Sequence, residues 1–68
     1  MIIHVNGEPR ELAPPVLLRD VLDLTEGASA PRGMAVAVDG EVIPRSQHAT
    51  VELVEGARVE IVTAVQGG

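Results

Sequence analysis

No cysteine occurs among the 68 residues, so neither a disulfide nor a thiolate metal site can compensate for a small core. Phe, Tyr and Trp are absent as well. The core must therefore be built from Val, Ile, Leu, Ala and two Met, and the aromatic platforms that grip nucleobases and flat ligands are excluded. Lysine is missing too: all five basic residues are arginines, Arg10, Arg19, Arg32, Arg45 and Arg58. Against ten acidic residues they leave a net charge of −5, the wrong sign for a phosphate backbone and one that favours partners with basic surfaces. No run is long enough to span a membrane. The opening Met1-Ile2-Ile3-His4-Val5 is too short and too uncharged for a signal peptide. The expectation is a cytoplasmic protein that binds neither nucleic acid nor membrane.

What is present fits one domain near the lower size limit for folding on apolar burial alone. Ile2 to Val5 is a β-branched run closed by Asn6-Gly7, a pair that tolerates positive φ and marks a tight hairpin. Glu8 to Leu12 reads as the returning strand, and Pro9, lacking a ladder donor, places it at a sheet edge. Pro14-Pro15 stops that strand and can open a helix, in which Leu17, Leu18, Val21 and Leu22 recur at helical spacing. Thr25 to Gly33 is small, polar and rich in Gly and Pro, hence a loop. Met34 to Val38 and Glu41 to Pro44 flank Asp39-Gly40 as a second hairpin. Arg45 to Thr50 suits a short helical turn with Ser46 as cap. Arg58 to Val65 alternates as a final strand, with Val59 and Ile61 facing the helix and Glu60, Val62 and Ala64 facing outward. Hairpin, helix, hairpin, strand is an α+β order, expected to give a mixed four- to five-stranded sheet on one main helix over residues 1–65. Residues 66–68 are left over as a tail.

Two glycines without Cβ atoms can thread a slot too narrow for other residues, and three residues beyond Val65 reach about 10 Å. A diglycine is equally an ordinary frayed terminus. The segments Val5-Asn6-Gly7-Glu8, Ala35 to Arg45 and Gly56 to Gly68 together resemble the ThiS family, the sulfur-carrier proteins of thiamine biosynthesis with a ubiquitin-like β-grasp fold. After Pro44-Arg45 the chain departs from the family pattern, reading Ser46-Gln47-His48 where relatives carry an aromatic residue a few positions on. The resemblance implies that an adenylating enzyme uses ATP to activate the Gly68 carboxylate. A persulfide donor would then supply sulfur to give a thiocarboxylate, and thiazole synthase would receive it. Gly68 is then the point of covalent attachment, Gly67 and Gln66 thread into partner sites, and Glu60, Val62 and Ala64 form a docking strip. The protein is expected to be a substrate and carrier, with no catalytic residue, metal or bound cofactor of its own. The absence of lysine agrees, since an activated acyl group would be exposed to amines, although arginine-biased codon usage explains it as well.

Two other readings share the tail: the small subunit of molybdopterin synthase, also a sulfur carrier, and a ubiquitin-like modifier joined to lysines. Elsewhere, His4 and His48 read as solvated side chains rather than ligands. Ser46 and His48 have nucleophile and base chemistry but no room for a cleft. Asp20, Asp23 and Glu26 read as a solvated acidic helix face, and Arg45 and Arg58 as partners in surface salt bridges.

Overall fold

The computed structural model describes residues 1–26 and 34–62, without the side chain of Glu26. Strand β1 (Ile2–Val5) turns through Asn6 and Gly7, at φ of 50° and 86°, into β2 (Glu8–Glu11). A two-residue β3 (Val16–Leu17) leads directly into α1 (Leu18–Glu26). A second hairpin joins β4 (Ala35–Val38) to β5 (Glu41–Val42) through Asp39 and Gly40, at φ of 51° and 85°. Both turns thus have paired positive φ, the twist that suits two-residue hairpins. A 3₁₀ turn (Arg45–Gln47), β6 (Glu52–Leu53) and β7 (Arg58–Val62) complete the described chain.

The main sheet has five strands in the order β2-β1-β7-β4-β5, and β3 pairs with β6 in a separate two-stranded sheet. Strand β7 runs parallel to β1 and antiparallel to β4, which makes the sheet mixed and places β7 at its centre. Fully exposed β2, with Pro9 opposite His4, is an edge strand, as the missing ladder donor requires. One face of the sheet contributes Ile3, Val5, Val36, Val59 and Ile61 to a single core that also contains Leu18, Val21 and Leu22 of α1. The burial of β7 alternates strictly along its length, the period of a strand with one wet face.

Three expectations are corrected. The helix begins at Leu18 rather than in the first turn after the proline pair, because Val16 and Leu17 are held by β6 through the pairs Val16–Leu53 and Leu17–Glu52. Its first amides are satisfied from afar: the Leu18 and Arg19 amides donate to the carbonyls of Val51 and His48, at 2.8 and 2.9 Å. Ser46 is not a cap; the 3₁₀ turn starts after Pro44 without any side-chain capping bond. His48 is not solvated but buried, with its Nε2 3.1 Å from the Ile43 carbonyl oxygen.

Candidate functional site

The residues on which the expected chemistry falls, Gly68, Gly67 and Gln66, lie outside the described residues, as do Ala64 of the docking strip and the expected boundary at 65/66. What the structure does describe is the strand that precedes them and the sheet face around it. Glu60 and Val62 lie on the wet face of β7, opposite the helix, with Val62 62% exposed. Pairing sets their neighbours: Ala35 stands opposite Val62, Ala37 opposite Glu60, and Val42 opposite Ala37. Cross-strand partners share a face. Two exposed valines, Val42 and Val62, thus flank small alanines in a shallow apolar strip interrupted by one carboxylate. Small alanines keep this strip low, so a partner's side chains can approach the sheet closely.

Towards the other end of β7 the same face becomes polar. An open groove of ≈ 640 Å³ is lined by His4, Asn6, Gly7, Arg58, Val59 and Glu60. His4, half-buried on β1, stands beside Arg58 in the parallel register. Arg58 is exposed, and its backbone amide donates to Oδ1 of Asp39 at 3.0 Å. The apolar strip and the polar groove together give the face a graded character along one strand.

Other candidates are not brought together. Asp20 accepts a hydrogen bond from the Leu17 amide at 3.0 Å, reaching back to the residue before the helix as the third residue of a capping box does. Asp23 is exposed. Among the described residues no group of three or more His, Asp or Glu side chains is placed to hold a metal ion. Nor is any described helix long and apolar enough to cross a membrane. Ser46 is exposed while the His48 ring is buried against the Ile43 carbonyl, which is not the arrangement of a nucleophile and its base.

Sequence reasoning missed two features here. The buried His48 sits in a polar segment with no periodicity, and neither its residue type nor its neighbours mark it as buried. The second is the use made of Asn6 and Asp39, whose side-chain oxygens bond to amides of β7 far along the chain.

Comparison with known proteins agrees with this architecture. The thiamine biosynthesis protein ThiS from Geobacter metallireducens, known from a crystal structure, is 27% identical, with a TM-score of 0.81 and 100% of each chain covered. Its likeness supports the β-grasp arrangement of a mixed sheet on one helix. No curated protein matches the chain. The ThiS family model matches residues 3–68, nearly the whole sequence, and the chain belongs to the ThiS family.

Proposed function

We propose that this protein is a sulfur carrier of thiamine biosynthesis that is loaded at the Gly68 carboxylate. Family membership over residues 3–68 is the observation that carries the reading. The absence of cysteine supports it, since no side-chain thiol competes to hold the sulfur.

A carboxylate is inert towards sulfur nucleophiles because hydroxide or oxide is a poor leaving group. Adenylation solves this. The Gly68 carboxylate attacks the α-phosphate of ATP on a partner enzyme, pyrophosphate leaves, and the resulting acyl-adenylate has AMP as leaving group. The terminal sulfur of a persulfide then adds to the carbonyl and displaces AMP. A thiol reductant splits the remaining S–S bond, leaving the thiocarboxylate, which delivers its sulfur to thiazole synthase. The chain supplies no catalyst for these steps; it is the substrate of its partners. Its own contribution is to hold out a tail thin enough to enter their sites, with Gly67 and Gln66 in the slot. The strip of Glu60, Val62 and Ala64 is the docking surface, to which Ala35, Ala37 and Val42 contribute the apolar floor.

Mass spectrometry of the chain co-expressed with its adenylating enzyme and a persulfide donor is the test. Exchange of one terminal oxygen for sulfur on Gly68 is expected. Unmodified protein under those conditions, or adducts to lysines of other proteins, would count against the proposal.

A further inference from the structure

The two hairpin turns do more than reverse the chain. In a parallel ladder the bond following Asn6 N–H to Val59 C=O would be donated by the Ile61 amide to the backbone carbonyl of residue 6. The first of these is made, at 2.9 Å. The second cannot be, because Asn6 adopts φ of 50° and turns its backbone away into the hairpin. Its side chain takes over: Asn6 Oδ1 accepts the Ile61 amide at 2.8 Å, across 55 positions of sequence. That donor also fixes which amide atom is the oxygen. On the opposite edge of β7, Asp39 Oδ1 accepts the Arg58 amide at 3.0 Å from the equivalent position of the other turn. Strand β7 is clasped from both sides, at its start by Asp39 and near its end by Asn6.

Resting on the function proposed above, we propose that Asn6 is a positioning residue for loading at Gly68. Ile61 is the last buried residue of β7 among those described, and its amide makes the last described bond from β7 towards β1, while Val62 beyond it stays paired with Ala35 of β4. An unclasped Ile61 amide lets the β1 side of β7 open at its described end, and the direction set for the residues that follow in sequence is then less constrained. Fewer encounters with the adenylating enzyme present the carboxylate correctly. Chemistry after productive binding is unaffected, so the loss falls on KM rather than kcat.

Asn6→Gly removes the acceptor while keeping positive φ, and Asn6→Asp keeps an acceptor in place. Asp39→Gly is the control, removing the corresponding bond at the far end of the strand. Amide hydrogen exchange of the free proteins should show Ile61 exchanging about 5-fold faster in Asn6→Gly, relative to Val59, as expected for one net hydrogen bond. With the adenylating enzyme, pyrophosphate release should show KM raised by a similar factor of about 5 and kcat retained. Asn6→Asp should behave as the parent, and Asp39→Gly should leave KM unchanged. Unaltered exchange at Ile61 would remove the clasp itself. Faster exchange with unchanged KM, or an equal rise in KM for Asp39→Gly, would overturn the positioning role. If the parent chain is not adenylated, the function above fails and the role with it, which the parent control reports separately from the exchange data.

Discussion

One substitution made twice in the same strand tests the two-faced reading of β7. Val→Thr conserves shape and strand preference and exchanges a methyl for a hydroxyl. At Val59, 1% exposed in the core, that hydroxyl has no water and no free partner, since the neighbouring backbone groups are engaged in ladders with β1 and β4. Burying it without a bond costs about 1–3 kcal/mol, and the lost methyl about 1 kcal/mol more, so Val59→Thr should destabilise by ~2–4 kcal/mol. A domain of this size has a total of only about 3–10 kcal/mol. At Val62, 62% exposed, the same change should stay within about 0.5 kcal/mol. Far-UV circular dichroism must report unfolding, because the sequence has no Trp or Tyr for fluorescence. The urea midpoint should fall sharply for Val59→Thr at constant m, with a melting temperature lower by at least about 10 °C, and barely move for Val62→Thr. Comparable losses at both positions would refute the assignment of faces.

Further outcomes follow from the same structure. Deleting Gly68 should leave the melting temperature unchanged and abolish adenylation, and Gly67→Val should slow adenylation by crowding the slot; both are read by pyrophosphate release with the partner enzyme. Val62→Asp should weaken capture by that partner in a surface-binding assay, because it adds a second carboxylate beside Glu60 on the apolar strip, while thermal melting stays within a few degrees. His48→Ala should cost about 1–3 kcal/mol in urea unfolding, since it removes a buried ring and its bond to the Ile43 carbonyl.

Local chemistry made much of this fold legible. Asn6-Gly7 and Asp39-Gly40 each declare a tight turn because few other pairs accept two consecutive positive φ values, and both turns are where those residues stand. Pro9 announces an edge because it cannot donate to a neighbour, and β2 is one. Where the reading failed, the deciding interaction was distant. Val16-Leu17-Leu18 is an unbroken apolar run that suits helix or strand equally, and only Leu53 and Glu52, more than thirty positions away, make its first two residues a strand. His48 is held in by the Ile43 carbonyl and by the turn that carries its own carbonyl to Arg19, none of which polarity alone reveals. Of the site, the alternation of β7 shows which side chains face outward, but not that Ala35, Ala37 and Val42 lie beside them, for that depends on register.

The central place of β7 bears on how the molecule comes into being. Before residue 58 has been synthesised, β1-β2 and β4-β5 are separate hairpins with no strand to join them, since each meets the other only through β7. A growing polypeptide on the ribosome therefore cannot close this sheet until its last described strand has emerged from the exit tunnel, and closure relies on contacts between opposite ends of the sequence, which form slowly. Chains cut short before residue 58 lack the strand that joins the two hairpins and its core residues Val59 and Ile61. Completion of the sheet is thus a late event, waiting on the strand that is last among those described.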